Sequence, residues 1–282
     1  MILLAAATNL KIHHQPGVIG AEVHVKAKPN EATNLGIEQL GCWRSHADIW
    51  RRVVEEDIET AIILEDDADW DVNVHEIFHE LSVQMRKGKL RKTQASKHEM
   101  RNAPYGLDWD LLYIGTCWDI PNKENRPNHQ TYDDRFGPNR SEQSGSFVAE
   151  LEGWGLTVTD ETRQRVIAPS WYPVCTIGYA VTRLGAQKLL YTVGGVKGIG
   201  SGVDLTMTDR IQKGYLNSYT VVPPLVTPWK TGSPRDSDID DLKAKQEKEN
   251  KELPSGSENL QNSARRAIER RLGTPEKKEL VA

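Results

Sequence analysis

From Ile37 onward the chain shows a clear pattern of apolar positions. Leu40, Trp43, Ala47, Trp50 and Val54 recur at three- and four-residue steps, the signature of one helical face. Glu55-Glu56-Asp57 then places acid where the helix dipole disfavours it, so the helix is expected to end there. Thr60-Ala61-Ile62-Ile63-Leu64 follows as a short continuous apolar run, which predicts a central strand buried on both faces. Ile77, Phe78, Leu81 and Met85 mark a second helix over Val74–Met85. Further strands are expected at 109–115 (WDLLYIG), 174–182 (VCTIGYAVT) and 219–222, with helices at 183–191 and 204–213. Ahead of all these, residues 1–7 read as the end of a helix, and residues 10–13 as a short strand. Strands alternating with helices predict an α/β sandwich around a mostly parallel sheet.

Two stretches break the pattern. Residues 86–104 read as a basic, irregular insertion, and residues 119–153 as a long loop rich in Pro, Asn, Asp and Gly. A loop of that length is commonly functional. No internal repeat is visible. Domain organisation follows from composition. Residues 1–234 hold the aromatic residues and form the expected folded domain. Residues 235–282 are dominated by Lys, Glu, Asp, Ser and Asn without one aromatic, and are expected to be a disordered or transiently helical tail.

The 282 residues are 38% hydrophobic with 8 tryptophans, enough for a substantial core. A formal net charge of -4 argues against nucleic acid as the main partner. No apolar run is long enough for an integral membrane segment, and the opening MILLAAA lacks the basic start of a signal peptide. The 3 cysteines, Cys42, Cys117 and Cys175, have no zinc-ligand spacing, and their odd count implies no disulfide framework; they read as small buried hydrophobes.

The chemistry concentrates where the apolar run of 60–64 meets Glu65-Asp66-Asp67. In open α/β sheets ligands bind beyond the carboxyl ends of strands. Carboxylates crowded there repel one another, and a hard divalent ion relieves that repulsion while leaving positions for phosphate oxygens. Along extended chain, side chains alternate, so Glu65 and Asp67 should point one way and Asp66 the other. Asp67 is the expected metal ligand, with Glu65 toward the metal or a ribose. The competing reading is an acidic turn that caps the next helix.

The block GCWRSHADIWRRVVEEDIETAIILEDDADW weighs against that simpler reading. It resembles glycosyltransferase family 25, the group of bacterial lipooligosaccharide transferases and animal collagen galactosyltransferases. The matching positions are Gly41, Ser45, His46, Leu64, Glu65, Asp66 and Asp67. Residues 110–115 and 178–190 resemble the family's later strand and strand-plus-helix, Val203-Asp204 falls at another of its acidic positions, and the wording is closest to fungal members. The likeness extends over about residues 1–235.

This resemblance implies a GT-A-like Rossmann-type sandwich, a UDP-sugar donor (most often UDP-galactose), Mn2+ or another divalent cation, and inversion at the anomeric carbon. The acceptor would be a glycan or glycoprotein and the compartment the secretory pathway. Inversion needs one general base. Asp204 is the first candidate and Asp209 the second, although Asp204 reads equally as a helix cap. Glu65, Asp66, Arg44 and His46 would contact the donor, with Asp67 and Glu65 at the metal. Arg44 reads equally as an acid-paired surface residue, and His46 as a packed helix residue. Trp118, Trp154 and Trp171 lie in or beside the long loops as candidate acceptor platforms.

The chain departs from the family in two ways. It begins after the family's opening strand and basic loop, so it is expected to lack that first strand and to leave an unpaired sheet edge. It also has no His after His129, leaving Asp236, Asp238 and Asp240 as late carboxylates. The alternative function is a catalytically impaired relative that binds a glycan or a partner. An unrelated metal-dependent phosphoester hydrolase is disfavoured by the Gly41–His46 block.

Overall fold

A computed structural model describes residues 1–29, 35–91, 93–120, 128–195, 200–233, 236 and 253–273. Helix α1 spans Ile2–Ala7 and α2 spans Ile37–Glu55. Strand β1 is Thr60–Leu64, β2 is Ala68–Trp70, and α3 is Val74–Lys87. Then follow α4 (Lys97–Asn102), β3 (Leu111–Gly115), β4 (Gln130–Asp133), α5 (Gly145–Gly153) and β5 (Gln164–Pro169). Next come β6 (Gly178–Thr182), α6 (Arg183–Thr192), α7 (Val203–Gln212) and β7 (Ser218–Val222). Short strands β8 (Val226–Pro228), β9 (Lys230–Thr231) and β10 (Ser255–Gly256) precede α8 (Ala264–Leu272). Residues 10–13, expected as a strand, form no regular element.

The main sheet has six strands in the order β1-β6-β3-β7-β5-β4. Only β3 and β7 pair in parallel; the other four neighbouring pairs are antiparallel. This corrects the expectation of a mostly parallel sheet. The region read as a loop contains β4 and α5, and β5 lies just beyond it, so the chain between β3 and β6 is not a simple crossover. β6 instead returns against β3 and fills the space between β3 and β1. Four-residue β4 and a β5 that carries Arg165 and ends on Pro169 are too short and too polar to announce themselves by periodicity.

β1 is correspondingly an edge strand rather than a central one. Ile63 is buried, but Ile62 is 41% exposed. β1, β3 and β7 run in one direction, so their carboxyl ends gather at one end of the sheet, with β6 entering from that end.

Strand pleating divides the core between the two faces. Leu111, Tyr113, Tyr179 and Val181 pack under α2, α6 and α7 together with Trp43, Trp50, Leu189 and Met207. Leu112, Ile114 and Ala180 face the opposite way, toward Ile77, Leu81 and Met85 of α3. The indoles of Trp43 and Trp50 are fully buried, and both N–H groups are satisfied, by the Val193 carbonyl at 2.9 Å and the Tyr179 hydroxyl at 2.8 Å. α6 starts where the Thr182 hydroxyl accepts from the Gly185 amide at 3.0 Å. A Cβ on Gly185 would lie 2.1 Å from the Asp110 carbonyl, so this close helix–strand approach requires glycine.

Two further expectations meet a different structure. Cys117 and Cys175 form a disulfide and Cys42 is free. The antiparallel pairing of Gly115 with Gly178 brings together two cysteines 58 residues apart, which spacing alone conceals. The described part of the charged tail, residues 253–273, is also packed. Asp69, fully buried, accepts from Ser257 Oγ and Ser263 Oγ at 2.5 Å each and from the Arg265 amide at 3.2 Å. Asp71 accepts from the Asn262 amide at 2.6 Å. Ala264 joins Leu4, Ala5, Trp70 and Val74 in a small core beneath it. Polar residues here dock through buried carboxylates, a signal that mean composition does not carry.

Candidate active site

Gly41, Ser45 and His46 begin the site on α2. A Cβ on Gly41 would lie 2.5 Å from the Val18 carbonyl, so residues 18–20 can lie against the helix only across glycine. Ser45 Oγ accepts from the Val18 amide at 2.8 Å and donates to the Gly41 carbonyl at 2.8 Å. These two residues anchor the N-terminal segment. His46, one position on, turns inward.

The buried His46 ring places Nδ1 2.9 Å from the Tyr179 hydroxyl and Nε2 3.8 Å from Glu65 Oε1. Thr176 Oγ1 donates to the same Glu65 oxygen at 2.6 Å. The Glu65 amide donates to the Ile177 carbonyl at 3.0 Å, which extends the β1–β6 ladder into the acidic segment. Burial alone would lower the His46 pKa, but Tyr179 and hydrogen bonds toward Cys42 and Glu65 outweigh it and raise it well above the usual value. Burial alone would raise Glu65, and the hydrogen bonds and charge of His46, with Thr176, bring it below its usual value. Each of the two thus favours the charged form of the other.

Asp67 stands in a different environment. Burial pushes its carboxyl up to about 6, helped by the charges of Glu65 and Asp66 and opposed by Arg265. Its Oδ1 is buried and has no hydrogen-bond partner. Asp66 is exposed. A single carboxylate with an unsatisfied oxygen, crowded by like charge, suits a hard cation that takes its remaining ligands from phosphate and water. Glu65 is held by Thr176 and His46, which suits a supporting role more than direct coordination. Among the described residues no group of three His, Cys, Asp or Glu side chains stands ready to hold a metal. Asp236 accepts from the Thr231 amide at 3.0 Å, and Asp238 and Asp240 lie outside the described residues.

The segment 174–177 joins the acidic turn to α7. Its Cys175 amide, at a residue with φ of 69°, donates to Asp204 Oδ2 at 3.1 Å, and its Thr176 hydroxyl reaches Glu65. Asp204 is therefore brought to the same end of the sheet as the acidic triplet. It is not the helix cap; that position belongs to Gly202. The fully buried Tyr113 hydroxyl, also unpartnered, lies near enough to Asp204 for that charge, after burial and Tyr179, to raise its pKa. Asp209 is five residues further on, about 140° round the helix from Asp204. It pairs with Arg210 and with Lys213 at 2.9 Å. Burial would raise Asp209, but Lys213 and Arg210 hold it below its usual value.

Arg44 forms an ion pair with Asp48 at 2.8 Å along its own helix. Of the three tryptophans, Trp154 is buried and Trp171 half-buried, while Trp118 is 45% exposed and packs 6.1 Å from the Tyr172 ring. Sequence reasoning missed Thr176, Tyr179 and the disulfide. Thr176 and Tyr179 lie within a strand read simply as apolar, and only their pairing with α2 and the acidic turn gives them a role.

Comparison with known proteins gives the family. A family profile described as "Glycosyltransferase family 25 (LPS biosynthesis protein)" matches residues 7–207. The chain is thus a member of a glycosyltransferase family. It belongs to glycosyltransferase family 25. It is 25% identical over 152 residues to procollagen galactosyltransferase 1 of Danio rerio, covering 54% of this chain and 17% of the relative. It is 29% identical over 162 residues to procollagen galactosyltransferase 2 of Homo sapiens, covering 57% of this chain and 18% of the relative. A shorter match to procollagen galactosyltransferase 1-B of Xenopus laevis is 34% identical over 77 residues, 27% of this chain and 10% of the relative. The chain thus spans less than a fifth of the curated relatives it matches. No helix among the described residues is long and apolar enough to cross a membrane.

Proposed function

We propose that this enzyme transfers a hexose, galactose by analogy with its relatives, from a UDP-sugar to a hydroxyl of a glycan or glycoprotein, with Mn2+ held at Asp67 and inversion of the anomeric carbon. The observation that carries this reading is the buried, unpartnered Asp67 Oδ1 at the carboxyl end of β1, amid Glu65 and Asp66. A bound divalent ion there would stabilise negative charge on the departing diphosphate. The rest falls to the protein. His46, Thr176 and Tyr179 fix Glu65 beside the donor pocket. Asp204, oriented by the Cys175 amide, takes the proton of the acceptor hydroxyl as its oxygen bonds to the anomeric carbon. The anomeric carbon–oxygen bond breaks, and its electron pair leaves with UDP. Asp209, bound in an ion-pair cluster and turned away, is the weaker candidate for base.

The architecture is read as a GT-A-type variant. The Cys117–Cys175 disulfide favours an oxidising compartment such as the secretory lumen. Thermal unfolding with UDP and MnCl2 tests the donor site, because a ligand bound only by the folded state raises its stability. A manganese-dependent rise that Asp67→Ala abolishes, together with slow UDP-galactose hydrolysis in the absence of acceptor, is the expected result. No rise in either protein would sink the transferase reading and leave a non-catalytic glycan- or partner-binding role.

A further inference from the structure

Arg265 sits at the start of α8, in the segment that sequence composition marks as a disordered or transiently helical tail and that lies beyond the family match at residues 7–207. Its Nη2 donates to the Asp66 carbonyl at 3.0 Å and to the Ala68 carbonyl at 3.1 Å. Those two carbonyls flank Asp67. The guanidinium is thus fixed at the acidic turn by neutral backbone oxygens. Among the described residues it makes no ion pair with a carboxylate within 4.0 Å. Its Nε is buried and has no hydrogen-bond partner. The Trp229 ring, 5.9 Å from the guanidinium carbon, holds the plane from one side, and the Trp229 amide donates to the Asp67 carbonyl at 2.9 Å.

Two unsatisfied groups of opposite charge therefore belong to one turn: Arg265 Nε, on a guanidinium bound to the carbonyls either side of Asp67, and Asp67 Oδ1, on whose carboxyl the Arg265 charge acts; they do not satisfy each other. A third component carrying both anionic oxygens and a cation would satisfy both. A metal-bound diphosphate is such a component. Guanidinium recognises phosphate through paired N–H donors in a planar fork, and Arg with a divalent ion is a recurrent clamp on phosphate oxygens.

We propose that Arg265, supplied by the C-terminal segment, binds the diphosphate of the sugar-nucleotide donor beside Asp67. This rests on the donor-site reading above. A purely structural role is already filled by other groups of the same segment. Ser257 Oγ, Ser263 Oγ and the Arg265 backbone amide attach it to Asp69, and Asn262 attaches it to Asp71; none of these contacts uses the guanidinium. As the anomeric carbon–oxygen bond breaks, its electron pair passes to a diphosphate oxygen, and a hydrogen bond from Arg265 to that oxygen strengthens.

Calorimetric titration of the full chain with UDP and with uridine, both in MnCl2, tests the assignment. Arg265→Ala should weaken UDP about ten- to hundredfold and leave uridine within about twofold. Arg265→Gln, which keeps a donor for the two carbonyls but removes the charge, should show the same split, and serves if the alanine variant fails to fold. Ser263→Ala, which loosens the segment but keeps the guanidinium, should lower the melting temperature and leave UDP affinity intact. Unchanged UDP binding in both Arg265 variants overturns the proposal while the donor site stands. Equal loss of UDP and uridine shows a mere staple and also overturns it. If the unaltered protein binds no UDP, the donor site and this inference fall together.

Discussion

At the scale of single residues, the site holds two carboxylates three positions from start to finish with opposite fates. Glu65 is stabilised as an anion by His46 and Thr176, whereas Asp67 is raised to about 6 by burial and by its acidic neighbours. A carboxyl whose folded-state pKa is raised destabilises the fold when charged. That cost is present above about pH 6 and is relieved as pH falls from there toward the usual value of 3.8. Asp67→Asn should therefore make the metal-free protein more stable at neutral pH, by on the order of 2 kcal/mol. The gap to the parent should close as pH falls toward 4, and the variant should gain nothing from MnCl2; melting curves across pH read all three effects. His46 has the opposite sign. Its pKa is raised, so its contribution is present below its unfolded value near 6.5 and fades as pH rises through the folded one. Glu65, lowered, contributes above its unfolded value near 4.5 and fades as pH falls through the folded one. His46→Ala strands the Tyr179 hydroxyl and removes the partner of Glu65. A loss of about 1–3 kcal/mol of unfolding free energy, seen as a lower urea midpoint, is expected; an unchanged midpoint would show that the network contributes nothing to stability.

At the scale of elements, the same few residues look different in sequence and in space. The α2 periodicity correctly marks a helix, and Leu40, Trp43, Ala47 and Trp50 are all buried. The apolar run of β1 marks a strand but not its position, because a continuous run does not reveal whether one neighbour or two will pair with it. The short β2, which pairs with β8, was hidden inside an acidic stretch. The Cys117–Cys175 link ties the end of β3 to the segment that carries the Asp204 and Glu65 contacts. Closing a 58-residue separation, it should stabilise the protein by up to about 4 kcal/mol in the chain-entropy account. Replacing both cysteines with alanine is expected to lower the unfolding midpoint and to lower turnover as well. A variant with the parent's midpoint and rate would show that the bond neither stabilises nor positions the site.

At the scale of the whole molecule, the described C-terminal segment closes over the acidic turn and reaches back to α1. Its attachment depends on the buried carboxylates of Asp69 and Asp71, so Asp69→Ala should release it. Limited proteolysis should then cut within residues 253–273, where the parent resists; equal resistance would mean that the apolar contact of Ala264 suffices. The sequence by itself determined the helices of high periodicity, the existence of the main apolar strands, the acidic cluster that follows β1 and, through the Gly41–Asp67 block, the family. These are legible because they rest on local spacing: a helical face repeats every three to four residues, and a carboxylate cluster is contiguous. Tertiary structure alone decided the strand order, the edge position of β1, the disulfide and the closure of the tail. It also decided which acid is paired and which is left open. Those properties depend on pairs far apart in the chain, such as His46 with Tyr179, Cys175 with Asp204 and Asp69 with Ser263, whose meeting no local pattern encodes.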